Sequence, residues 1–359
     1  MDQRYITEQY YRGHHKGLFF WVRNARAIAL PQSALPAALA ICMCVGHSGF
    51  VWWVAVLAFF GVCMGHLGMN LADDYYDYIR DSRIRSTLSA SSVRARLDKC
   101  SYINNGDASV HDLRIAMFRF LIIAGLLGLT CVVAQWRMNG IYSALSVIMY
   151  SLLGLIFGIN YSGAPFHFCM HGLGELIIGI MFGPLLMLGM EAAVCGCPFS
   201  WPMAVMAVAI GLLVTNIVYV HSVMEVQADA ELGKMTFARL LYSPSRIPEL
   251  IFVGVFALLP FLLLGIGVVN SWWSPFTLLV VLTLPMSMYL IYSLCRFIHH
   301  LPTDDSPRWW MGPMTEFNLF REAGLDWFLI RWLLARNIVM YWCLILIIVI
   351  AFTGISFLK

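Results

Sequence analysis

The chain has 359 residues, of which 60% are hydrophobic and 12% charged, with a mean hydropathy of +0.76. A soluble globular domain carries about 25% charged residues, so that class is excluded. The net charge of +3 comes with no arginine–aromatic nucleic-acid motif, and the 10 cysteines show no CxxC pair or zinc-ligand spacing, so neither a nucleic-acid binder nor a zinc protein is indicated.

Residues 1–26 are polar and basic, with Arg4, Arg12, Lys16, Arg23 and Arg26, and show no cleavable signal pattern; they are expected to form a cytoplasmic segment. Nine apolar stretches follow, near 28–46, 51–71, 114–134, 141–159, 172–192, 202–222, 249–269, 274–295 and 337–356. Each approaches the ~20 residues a bilayer requires, and Pro31 with Pro36 predicts a kinked start to the first. Residues 27–359 thus read as one all-α polytopic membrane domain whose polar loops lie near 72–113, 223–248 and 296–336. With the N-terminus cytoplasmic, every Lys and Arg except Arg137 and Lys359 falls on the cytoplasmic side or just inside it, the orientation expected in a cell (inner) membrane. The cysteines read as small apolar residues, and Cys195 and Cys197 have no obvious disulfide partner. Trp52, Trp53, Trp201, Trp272 and Trp273 are placed as an interfacial belt, and Gly61/Gly65, Gly154/Gly158 and Gly179/Gly183 as helix-packing seams.

Two acidic patterns stand out. At the end of the second stretch, Asn70-Leu-Ala-Asp73-Asp74-Tyr-Tyr-Asp77-Tyr-Ile-Arg80-Asp81 puts Asp74, Asp77 and Asp81 at i, i+3 and i+7, one stripe of a helix leaving the bilayer, with Asn70 and Asp73 beside it. Like charges at that spacing destabilise a helix, and near hydrocarbon they cost more. A divalent cation removes both penalties, and a metal at a membrane face is suited to holding phosphate. After the sixth stretch, Glu225 and Asp229 again share a helical face, followed by Gly233 and Lys234; His221 lies one turn before Glu225. Both patterns emerge on the same membrane side, where Arg80, Arg83, Arg85, Arg94, Arg96 and Lys99 also crowd. Carboxylates alternating with cations suit a magnesium diphosphate, and a ring of spans offers a groove for a hydrocarbon tail.

These residues resemble the UbiA superfamily of intramembrane aromatic prenyltransferases, and within it the branch that prenylates 1,4-dihydroxy-2-naphthoate in menaquinone synthesis. Ala25-Arg26 with Leu30-Pro31-Gln-Ser-Ala-Leu-Pro36 is similar to that branch's opening segment, and Asn70-Leu-Ala-Asp-Asp-Tyr-Tyr-Asp-Tyr78 to its first motif. Tyr161-Ser-Gly-Ala-Pro165, Gly172-Leu-Gly-Glu175 and Phe182-Gly-Pro184 resemble its fourth loop and fifth span, and Asp229-x-x-x-Gly233-Lys234-x-Thr236 the end of its second motif. Departures are Asp73 for Asn, Glu225 for Asp, His221-Ser222 for Asn-Asn, Met224 for Arg, and His171 for the basic residue before Gly-Leu-Gly-Glu. They leave open a diverged member with another aromatic acceptor, or a non-catalytic binder of prenyl diphosphate.

The resemblance implies about nine helices around a cavity, a polyprenyl diphosphate donor and an aromatic acceptor. It also implies Mg²⁺ held by Asp74, Asp77, Glu225 and Asp229, with Asn70, Asp73, Asp81 and His221 completing or orienting the site. Lys234 and Arg80 are expected to stabilise departing pyrophosphate, and Tyr161, with Tyr75 and Tyr76, to shield an allylic cation. Glu175 is a candidate on the acceptor side, whereas His66, His167 and His171 read as packing or interfacial residues. Asp304-Asp305 reads as a solvated loop, and the stretch with Trp309, Trp310, Phe317, Phe320 and Trp327 as a surface amphipathic segment. Asp73-Asp74-x-x-Asp77 also matches the DDxxD of soluble prenyl synthases, which lack the nine spans, and the Asp-Gly-x-x-Ala-Arg opening of CDP-alcohol phosphotransferases is absent. A transporter or channel predicts ionisable residues deep within spans, where few occur here.

Overall fold

Inside a bilayer each backbone amide must find its partner within the chain, so apolar stretches of this length become helices. The computed structural model describes residues 17–81, 100–231, 233–315, 317–322 and 324–353. The side chain of Asp81 and the cluster Arg83, Arg85, Arg94, Arg96 and Lys99 lie outside the described residues. Among those described, nine helices are long and apolar enough to cross a membrane: α1 Ala27–Cys44, α2 Trp52–Arg80, α3 Val110–Asn139, α4 Ile141–Ser162, α5 Gly174–Cys195, α6 Trp201–Met224, α7 Ile247–Val269, α8 Pro275–Ile298 and α9 Asp326–Thr353.

α2 packs along α3, α6 along α7, and α9 against α1 and α6. The two most enclosed spans are α6 and α9, whereas α3 and α4 leave large apolar side chains such as Ile122, Leu126, Leu152 and Ile156 on the outside, as a lipid-facing surface requires. The α5–α6 seam depends on missing side chains: a Cβ on Gly179 would collide with Thr215, and one on Gly183 with the Ala207 carbonyl and Gly211. Between those glycines' turns α5 loosens into a π-helical turn, Met181–Leu185, around Pro184. Gly61 and Gly65 likewise meet α3 at Leu127 and Ala124, and Gly158 meets Met69, but a Cβ on Gly154 would meet nothing, so that glycine marks no seam.

Three expectations change. α9 begins at Asp326, eleven residues before the stretch expected from hydropathy near 337, because its polar first turns are buried rather than solvated. Arg331 is 1% exposed, pairs with Asp305 at 3.0 Å and lies 4.7 Å from the Phe297 ring; Arg336 donates to the Pro313 carbonyl and to Asn337. Asp305 is therefore an internal partner, and only Asp304, paired with Arg308 at 3.0 Å, fits the solvated-loop reading. Trp273 is buried against Gly267, while Trp52, Trp53 and Trp201 are more than half exposed and suit the belt.

Candidate active site

The helix of α2 continues unbroken to Asp81, which turns the acidic stripe toward the end of the bundle where α4 finishes and α5 begins. Asn70 donates to the Ala25 carbonyl at 2.9 Å, and Arg26 returns a bond to the Asn70 carbonyl at 3.0 Å. This exchange fixes Arg26 in the left-handed region, with φ of 58°, a conformation that costs a non-glycine residue on the order of 1 kcal/mol or more. Its guanidinium then reaches Asp73 at 3.0 Å and Asp74 at 3.3 Å. Desolvation works against the Arg26 charge, but Asp74 and Asp73 outweigh it and hold the guanidinium above its usual pKa.

Asp74 is fully buried and also accepts the Tyr102 hydroxyl at 3.0 Å. Tyr102 sits on the short helix Ser101–Asn104 with Phe20 and Trp21 edge-on to its ring. Burial, then the Asp74 charge, raises its phenol above the ordinary range, so it stays a donor. Asp73 accepts the Ser162 hydroxyl at 2.5 Å, and Asp77, 8% exposed, pairs with Arg80 at 2.7 Å.

The second motif starts where α6 ends. Glu225 is the residue at which the helix closes, and the short helix Val226–Glu231 resumes at once, so the Asp229 amide bonds the Glu225 carbonyl at 2.8 Å. Both residues are buried. Glu225 meets His221 Nε2 at 2.7 Å, and the His221 ring stands edge-on to Phe328. Gly233 turns with φ of 66°, the Lys234 amide bonds the Asp229 carbonyl at 2.8 Å, and Arg239 donates to the Lys234 carbonyl at 2.5 Å.

The two motifs meet across the loop joining α4 to α5. Both Glu175 oxygens accept the Phe237 amide at 3.1 Å, and Gly172 donates to the Met235 carbonyl at 2.6 Å, stitching the start of α5 to the strand after Lys234. Cys169 in that loop lies within the electrostatic reach of Lys234 on one side and of Asp77 and Asp73 on the other. The Tyr161 ring lies beside Gly174 at the start of α5. Tyr76 approaches Gly163 and stacks edge-on with Tyr75. Ser162, next to Tyr161, thus ties the first motif to the end of α4, and Glu175 receives the Phe237 amide.

The model of the UbiA prenyltransferase family matches residues 33–311. The chain belongs to that family. It is 25% identical over 218 residues to a 1,4-dihydroxy-2-naphthoate octaprenyltransferase of Mycobacterium leprae, covering 61% of this chain and 68% of that one. A 2-carboxy-1,4-naphthoquinone phytyltransferase of Synechocystis is 26% identical over 264 residues, 72% of this chain and 77% of that one. Among solved structures, a UbiA homolog from Archaeoglobus fulgidus bound to GPP and Mg²⁺ superposes with a TM-score of 0.53 at 15% identity, covering 88% of this chain and 98% of that one. A digeranylgeranylglyceryl phosphate synthase structure gives 0.56 at 15% identity, over 93% and 98%.

For a UbiA-family site the donor set is chemically apt, since it is all carboxylate oxygen, which suits a hard divalent cation. Among the described residues, however, no three His, Cys, Asp or Glu side chains are gathered as one coordination sphere. Arg26 stands against Asp73 and Asp74, Arg80 against Asp77 and His221 against Glu225. Sequence reading named Asn70, Asp73, Asp74, Asp77, Arg80, Tyr161, His221, Glu225, Asp229 and Lys234, but gave no site role to Arg26, Tyr102, Ser162, Cys169 or Arg239. Arg26 was visible only as part of an opening segment, and nothing in the local pattern marks the other four.

Proposed function

We propose that this chain is an integral-membrane prenyltransferase that moves a polyprenyl group from its diphosphate to an aromatic acceptor, 1,4-dihydroxy-2-naphthoate in menaquinone synthesis. The observation that carries this reading is the joining of the two motif segments across the α4–α5 loop, where Ser162 donates to Asp73 at 2.5 Å, the Phe237 amide donates to Glu175 at 3.1 Å and the Gly172 amide to the Met235 carbonyl at 2.6 Å. Asp74, Asp77, Glu225 and Asp229 are the groups we assign to Mg²⁺, with Asn70, Asp73 and Asp81 orienting them. Bound Mg²⁺ would neutralise the diphosphate and favour its departure. Lys234 and Arg80 hold negative charge as the allylic C–O bond breaks, an interaction strongest in the transition state. Tyr161 presents its ring to the allylic cation and limits capture by water. The nine apolar helices support a bilayer location, and the Lys and Arg distribution supports a cytoplasmic motif face.

The test is a membrane-fraction assay with Mg²⁺, octaprenyl diphosphate and dihydroxynaphthoate, using wild type, Asp77→Ala and Asp229→Ala. Magnesium-dependent prenylated naphthoquinol, reduced roughly 100-fold or more in each variant, is the expected result. Asp77-dependent prenylation of a different phenol alone would move the acceptor, which the departures at His221, Glu225 and Asp73 would then explain. Diphosphate binding without any product would overturn the enzyme reading.

A further inference from the structure

His66 lies within α2, four residues before Asn70, and the 1.5 Å helical rise sets it about 6 Å deeper in the span on the same stripe as Asn70, Asp74 and Asp77. An ionisable side chain at such a place needs a reason. It is 7% exposed, and three elements hold it: α1 through Ser33, α5 through Phe182, and its own α2. His66 Nδ1 is 2.6 Å from Ser33 Oγ, and the Ser33 hydroxyl donates to the Leu30 carbonyl at 3.2 Å. Serine has one proton, so with that proton on Leu30 the hydrogen of the shorter contact belongs to Nδ1. Nε2 then carries a lone pair. It bonds none of the described residues. The Phe182 ring stands 4.7 Å from the imidazole, on the π-helical turn of α5, an irregularity frequent at functional sites.

We propose that His66 is a further catalytic residue, the general base for the hydroxyl of the aromatic acceptor, with Ser33 as its positioning residue and Phe182 as one wall of the acceptor site. The proposal rests on the prenyl-transfer reading above. The level of His66 suits this role: a ring whose reacting carbon meets the allylic carbon just below the diphosphate extends inward by about one helical turn. Breaking the acceptor O–H bond sends its proton to Nε2 and the electron pair into the ring. The ring carbon bonds the allylic carbon, and the pair of the allylic C–O bond leaves with the diphosphate. As the ring gives up its carboxylate as carbon dioxide and regains aromaticity, the oxygen recovers the proton from Nε2, so none is consumed overall. The charged group facing the imidazole is Arg26, while α1 and α5 offer Ser33 and Phe182.

The experiment uses full-length protein in membranes, with octaprenyl diphosphate, Mg²⁺ and dihydroxynaphthoate, and compares His66→Ala, His66→Gln and Ser33→Ala. Loss of a general base lowers turnover by about 100-fold or more, so kcat is expected to fall that far in both His66 variants. Binding of an unreactive prenyl thiolodiphosphate should be unchanged, and added imidazole should restore part of the turnover in His66→Ala alone. Ser33→Ala should lose about 10-fold, the low end for a group that only orients the base. Wild-type-like kcat in His66→Gln, or lost thiolodiphosphate binding with no imidazole rescue, would overturn the proposal and leave a packing role. Absence of wild-type turnover on the naphthoate would instead overturn the function from which the role follows.

Discussion

At the first motif, side chains from three other segments hold the carboxylates: Arg26 from before α1, Tyr102 from the helix before α3, and Ser162 from the end of α4. At the second, His221, one turn earlier on the same helix, meets Glu225, and the Lys234 amide bonds the Asp229 main-chain carbonyl. The difference teaches where each motif's geometry is decided. The first is joined by side chains from distant elements, whereas the contacts at the second include local ones set by the helical turn.

That contrast makes graded predictions. Arg26→Ala should have the largest effect on stability, because it removes a guanidinium 3.3 Å from fully buried Asp74 and 3.0 Å from half-buried Asp73. Since the Arg26 side chain is 36% exposed, we expect about 2–4 kcal/mol, somewhat below the usual figure for a broken buried pair, read as a lowered unfolding midpoint in detergent. Tyr102→Phe deletes one hydrogen bond to a buried carboxylate and should cost about 1–2 kcal/mol in the same measurement. His221→Ala removes a pair whose histidine is 39% exposed and should cost under about 1 kcal/mol, although it acts on Glu225. If His221→Ala destabilised as much as Arg26→Ala, the local contact would matter as much as the distant one.

The same contrast explains what was legible in the sequence. The acidic stripes were readable because helical period is local: Asp74 and Asp77, or Glu225 and Asp229, share a face whatever surrounds them. The nine spans were readable because lipid imposes both length and composition. Arg26, Tyr102 and Ser162 lie 28 to 89 residues from the carboxylates they bind, and no spacing rule joins them. The start of α9 was missed for a related reason. Arg331 and Arg336 look like loop residues until Asp305, Asn337 and the Pro313 carbonyl are folded against them. The bond Glu175 receives from the Phe237 amide, 62 residues away, was likewise invisible in the local pattern.

The central claim is that two motifs built by different means serve one diphosphate. Its most direct test is equilibrium binding of geranyl thiolodiphosphate to the full-length protein with and without Mg²⁺, for wild type, Asp77→Ala and Asp229→Ala. Binding that Mg²⁺ strengthens in wild type, with that gain lost in each variant alone, is the predicted result. Full Mg²⁺-dependent binding by Asp229→Ala would contradict it, since the first motif would then hold the diphosphate without the second.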